Sequence, residues 1–117
     1  MNVANTAVLL QEYLQGVEFV IDTVSLDGQH KMAGCWNYMK GSVNGAAFVY
    51  FGMKLVDGAN PVSQEVFAYV KQVLDALEIK NWCGHAEVMY HPLTGPCLVE
   101  VGSRPHGGEG IFIEGAR

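Results

Sequence analysis

One stretch of this chain repeats its apolar residues at helical spacing: Val62, Val66, Val70, Val73, Leu74 and Leu77 fall on one stripe running up to Glu78. Asn60-Pro61 stands in front of it, an N-cap residue followed by proline at the first helical position, where a missing N–H costs nothing. The stripe reads as a helix with a core-facing side. The runs on either side of it are β-branched, aromatic or alternating, so the helix must bury its stripe against a sheet. The expected class is therefore α+β, an antiparallel β-sheet with one main α-helix packed on it.

The sheet is expected to begin with a hairpin. Ala7–Leu14 is apolar around Glu12, the string "QGVE" follows, and "FVIDTVSL" alternates Phe19, Ile21 and Thr23 against Val20, Asp22 and Val24. Asp27-Gly28 is a strong turn signal, and "HKMAGCWNYMK" after it reads as a third strand, with Gly34 marking a bulge or a close backbone approach. "GSVNG", 41–45, reads as a loop, and "AAFVYFGMKLV" behind it as a buried strand. After the helix, "HAEVMYH" and "PCLVEVG" read as two strands around a turn at Pro92–Pro96. "IFIEGAR" at the end has the composition of a strand or helix start.

A chain of 117 residues builds one core, so 1–117 is expected to form a single domain. Twelve acidic residues face seven basic ones with no basic cluster, which argues against nucleic acid as a partner. No apolar stretch reaches the roughly 18 residues that cross a bilayer, and the N-terminus lacks a signal-peptide pattern. The chain reads as soluble and cytoplasmic. Cys35, Cys83 and Cys97 lack metal or redox spacing and read as reduced thiols in or near the core.

The chemistry concentrates near the end. Glu87 and Glu100 each interrupt an apolar strand, thirteen positions apart across a turn, so they can lie side by side. A carboxylate pair of this kind suits a hard divalent cation shared with phosphate oxygens; two solvated glutamates on a half-exposed sheet fit the same pattern. Arg104, one of two arginines, follows Glu100 by four residues and either reaches an anion at that metal or ties down its loop. His85, two residues before Glu87, shares its strand face. His106 lies in the glycine-rich turn "RPHGGEG", either a ligand-facing turn or a plain surface one. In the first hairpin Glu12 and Leu14 share a strand face, with Glu18 just past the turn.

In order, "LLQEYLQGVEF", "LDALEIKNWCGHAEVMY" and "GPCLVEVGSRPHGGEG" resemble the C-terminal half of the ATP-grasp superfamily of carboxylate-amine ligases, over about residues 7–110. The resemblance implies ATP and Mg²⁺ (or Mn²⁺), an acyl phosphate made from a small carboxylate, and attack by an amine. By resemblance, Glu12 with backbone groups of Tyr13 and Leu14 reads adenine, and Glu18 binds the ribose hydroxyls. Glu87 and Glu100 match the metal-binding glutamates, Arg104 the arginine that counters phosphoryl charge, and His85 and His106 lie toward substrate.

"WNYMKGSVNGAAFVYFG" resembles amino-acid and dipeptide ligases, where this segment borders the acceptor pocket. The family string Glu-x-Asn-x-Arg is here "EVGSR", with Gly102 in the place of a metal-binding asparagine. The family's glycine-rich phosphate loop and two ATP-binding lysines, which precede "QEYL", have no counterpart. The expectation is a C-terminal ATP-grasp piece of an amino-acid or peptide ligase, not competent alone and associating with a missing N-terminal part. The alternative is a non-catalytic nucleotide-binding or self-associating module, a homo-oligomer through its apolar surface.

Overall fold

The computed structural model describes residues 6–107. Five strands and one helix follow in the order β1 (Val17–Leu26), β2 (Gln29–Val43), β3 (Ala46–Leu55), α1 (Pro61–Ala76), β4 (Trp82–His91) and β5 (Gly95–Gly102). The strands form one antiparallel sheet in the spatial order β3-β2-β1-β4-β5. The helix packs on one side of it, as the stripe requires.

The helix begins where its sequence says it should, with the Asn60 side chain accepting a hydrogen bond from the Val62 N–H at 2.9 Å. Val66, Val70 and Leu74 are fully buried against Phe19, Ile21, Cys35, Ala86 and Val88. Each of the three aliphatic side chains contributes roughly 1.5–3 kcal/mol of transfer free energy. Small residues let helix and sheet close up: Ser63 is buried and accepts from the Cys35 thiol. A Cβ on Gly84 would lie 2.7 Å from Thr23 Oγ1 and 3.3 Å from a Leu74 methyl.

The first hairpin expected from the sequence does not form. Residues 6–15 adopt no strand, because β1 already has β2 on one edge and β4 on the other and offers no free ladder to a preceding strand. Glu12 and Leu14 therefore do not share a strand face. The 41–45 loop shrinks to a two-residue turn, Asn44-Gly45, both with positive φ (50° and 81°), the conformation Asp27-Gly28 adopts at the preceding turn.

The strand over 46–56 is not buried either. It is the sheet edge, and Tyr50, Phe51 and Leu55 are half exposed or more, because a 16-residue helix cannot cover five strands. Of the three thiols Cys35 is buried, Cys83 half-buried and Cys97 exposed. The helix stops at Ala76, two residues short of Glu78, which takes a positive φ just past it. "IFIEGAR" lies outside the described residues.

Candidate functional site

The sheet alternates its residues between two faces, and the face away from α1 collects the polar ones. Cross-strand register aligns Glu18 with Met89, Val20 with Trp36 and Glu87, and Asp22 with Gly34 and His85. On the outer pair Glu87 stands directly opposite Glu100. Simple alternation would put Leu98 and Glu100 on one face. A bulge at Val99 breaks the period: Leu98 pairs with Val88 and packs on the core, while Glu100 turns to the polar face.

Lys40 reaches into this carboxylate group from β2. Its Nζ lies 2.6 Å from Glu18 Oε1 and 3.7 Å from Glu87 Oε2. Burial raises the Glu87 pKa above the ordinary range, a hydrogen bond with the Glu18 carboxyl and the Glu100 charge add to it, and Lys40 opposes the rise. Tyr38 beside them is pushed up to about 12, first by burial and then by Glu87. The group is short of positive charge. Arg104 adds some at the rim, its Nη2 3.9 Å from Glu100 Oε1 and its side chain half exposed.

Glu12, Tyr13 and Leu14, although not in a strand, line a cleft of about 200 Å³ with Glu18, Lys40, Met89 and Val99. The residues expected to read a nucleotide and the carboxylates expected to hold its metal thus adjoin, with Glu18 and Lys40 common to both. An all-oxygen donor set with excess negative charge, Glu87 and Glu100 with Glu18 close by, fits Mg²⁺ or Mn²⁺ in chemistry. At Gly102 a Cβ would lie 3.2 Å from Arg104 Cγ and Nε, so the arginine side chain occupies the space beside the position where the family carries asparagine.

The histidines are less accessible than a ligand-facing turn suggests. His85 is buried, its Nδ1 2.6 Å from Asp22 Oδ1 and its Nε2 3.7 Å from Glu87 Oε1. His106 is stacked on the Trp36 indole, with ring centroids 5.4 Å apart, and its Nδ1 lies 3.3 Å from His85 Nδ1 and 3.7 Å from Asp22 Oδ2. Burial lowers its pKa, an effect that Asp22 partly offsets.

Gly34 makes the stack available, because a Cβ there would clash with the indole of Trp36. The close approach expected at Gly34 is therefore made by a side chain, and the ladder is irregular beside it, between Asp22 and Thr23.

Two residues of the site are absent from the sequence reading, Asp22 and Lys40. Asp22 carries the signal that marked Glu87 and Glu100, a lone carboxylate in an apolar strand. Lys40 ends one expected strand and lies in the segment that resembles an acceptor-pocket border, but its carboxylate partners come from other strands, which spacing along the chain does not reveal.

No protein-family model matches the chain. Dapdiamide A synthase from Enterobacter agglomerans is 36% identical over 110 residues, 93% of this chain and 25% of that protein. The solved structure of L-amino acid ligase from Bacillus licheniformis matches with a TM-score of 0.60 at 24% identity, over 79% of this chain and 23% of the ligase. Phosphoribosylglycinamide synthetase from Anaerococcus prevotii gives 0.64 at 15% identity, over 80% and 23%. The chain spans about a quarter of the length of each. In sequence and in fold, the chain is similar to a C-terminal piece of an ATP-grasp ligase.

Proposed function

We propose that this chain supplies the adenine-, ribose- and metal-binding side of an ATP-dependent ligase that joins a carboxylate to an amine, the amino-acid or peptide type being favoured by the relatives. In that reaction the carboxylate takes the γ-phosphoryl of ATP, giving an acyl phosphate and ADP. The amine nitrogen then forms the amide bond and phosphate leaves. The observation that carries this reading is the direct opposition of Glu87 and Glu100, adjoining the cleft of Glu12, Tyr13, Leu14 and Glu18.

Glu12 and the backbone of Tyr13 and Leu14 would meet the adenine edge, and Glu18 the ribose hydroxyls. Glu87 and Glu100 would hold Mg²⁺ or Mn²⁺, which when bound neutralises phosphate charge. Lys40, between Glu18 and Glu87, offers an ammonium to the same polyphosphate. Arg104 is long and half exposed, so its guanidinium can swing from Glu100 to an anion; its role is electrostatic stabilisation of the transferring phosphoryl. His106 faces the substrate side, and buried His85 acts through it and through Glu87 rather than by contact.

The rest of the reaction, including the carboxylate pocket and the other phosphate contacts, belongs to parts of a ligase beyond this quarter. The chain alone is therefore expected to bind nucleotide weakly and not to turn over. A non-catalytic, self-associating module is the second reading, favoured by the exposed Tyr50, Phe51 and Leu55 on edge strand β3.

Calorimetry with Mg²⁺-ATP tests the first reading. Glu100→Gln is expected to weaken binding at least tenfold, about 1.4 kcal/mol, whereas Glu65→Gln on the helix leaves it unchanged. Equal affinities for the two variants, or no binding by the parent chain at millimolar Mg²⁺-ATP, would overturn the assignment.

A further inference from the structure

Beside the glutamate pair lies a second cluster of a different chemical kind, which the ligase reading does not use as such. Asp22 on β1, His85 on β4 and His106 after β5 each bring one donor atom to a common point, and these atoms lie within 4.8 Å of one another. We propose that Asp22, His85 and His106 form a binding site for a borderline divalent transition ion of the zinc class, distinct from the hard-cation site at Glu87 and Glu100.

Three observations carry this. The first is donor type. Two imidazole nitrogens and one carboxylate are the set that selects zinc, cobalt or ferrous iron over magnesium, which takes oxygen donors. The second is spacing. His85 Nδ1 and His106 Nδ1 are 3.3 Å apart, and two ligands on a tetrahedral ion with bonds near 2.0–2.1 Å stand roughly 3.3–3.4 Å apart. Asp22 Oδ2 lies 3.7 Å from the His106 nitrogen, so a small rotation of the carboxyl completes a third corner.

The third observation is support around the ligands. A metal-bound imidazole usually has its other ring nitrogen next to a carboxylate; here Glu87 Oε1 lies 3.7 Å from His85 Nε2. The His106 ring is held by stacking on Trp36, and His85 and Asp22 are buried in the sheet. The ligands are thus fixed before an ion arrives.

Without an ion, the Asp22 carboxylate accepts a hydrogen bond from His85 Nδ1–H at 2.6 Å. A divalent ion takes the place of that proton. Three protein ligands leave a fourth position for water or a small donor.

The test is titration of the 117-residue chain with Co²⁺, a spectroscopic stand-in for Zn²⁺. One equivalent is expected to bind with visible absorption of a low-coordinate site, to be displaced by Zn²⁺, and to survive a thousandfold excess of Mg²⁺. His106→Ala, which changes a residue outside every strand, should weaken cobalt binding at least tenfold with the far-ultraviolet circular dichroism unchanged.

Proton NMR of the parent chain is a check that needs no variant. Cobalt should shift the ring protons of His85 and His106 and leave those of His30 and His91 in place. Displacement of cobalt by Mg²⁺, equal cobalt affinity in His106→Ala, shifts at His30 or His91 instead, or no cobalt binding by the folded chain would overturn the proposal. Loss of Mg²⁺-ATP binding with cobalt binding intact would overturn the ligase reading alone.

Discussion

The two faces of this sheet are made from the same strands, one residue out of step, and they follow opposite rules. On the helix face, Phe19, Ile21, Cys35, Ala86 and Val88 meet Val66, Val70 and Leu74 in a buried apolar core. On the other face, neighbours in the chain such as Glu18, Asp22, Trp36, His85 and Glu87 assemble charge and aromatic rings with little aliphatic filling. Stability is concentrated on the first face because burial of apolar area is non-directional and additive. Binding chemistry collects on the second, where several like charges are held together at a cost to the fold.

The sharpest way to break this contrast is a core truncation. Leu74→Ala removes a fully buried side chain and is expected to cost about 2–5 kcal/mol in chemical denaturation. A cost below 1 kcal/mol would mean that the helix is not the main seal of the fold.

Next in size comes Gly34→Ala, on the polar face. The added Cβ must displace the Trp36 indole, at an expected cost of about 1–3 kcal/mol with a red shift of tryptophan emission as the ring moves toward water. Because His106 rests on that ring, the same substitution should weaken the cobalt site. Unchanged emission and stability would show that the polar face tolerates repacking.

Smaller effects are expected from the charges. Lys40→Met removes the ammonium that faces Glu18 and Glu87, and should cost up to about 1 kcal/mol at pH 8, as for a partly solvated ion pair. That cost should vanish once the carboxyls are protonated.

Glu87→Gln should do the reverse. A carboxyl whose pKa is raised in the fold above its ordinary value of 4.5 stabilises the fold in its protonated form, below 4.5, and loses that contribution as pH rises through the raised value. The neutral glutamine lacks this loss, so the urea midpoint of Glu87→Gln relative to the parent should be higher at pH 8 than at pH 4. A pH-independent difference would show that Lys40 fully compensates the carboxylates. Read together, the two substitutions measure how much stability the polar face gives up to keep its charge.

How much of this could be read along the chain depends on the range of each interaction. The helix and its cap were legible because the Val62–Leu77 stripe and Asn60-Pro61 are local patterns. The turns at Asp27-Gly28 and Asn44-Gly45 obey the same rule, yet composition alone extends the second into a five-residue loop, whereas Gly41 and Ser42 belong to a strand. The strand expected over Ala7–Leu14 failed for a non-local reason: its apolar residues had no sheet edge to join. The apolar character of edge strand β3 points to burial but says nothing of how far one helix extends.

The site divides in the same way. That Glu87 and Glu100 stand on neighbouring strands follows from a hairpin with a short turn, and that His85 shares a face with Glu87 follows from strand alternation. These, with the resemblance of the "EVGSR" string, were properties of the sequence alone.

Only the tertiary structure decided that the Val99 bulge turns Leu98 inward while Glu100 faces the site, that Lys40 enters the carboxylates from the other side of β1, and that Gly34 gives Trp36 room to carry His106 onto Asp22 and His85. The physical reason is that local periodicity sets which way a side chain leaves its strand, whereas register across the sheet sets what it meets there. Charges that share no segment of chain, such as Lys40, Glu18 and Glu87, are brought within 2.6 to 3.7 Å by strand order.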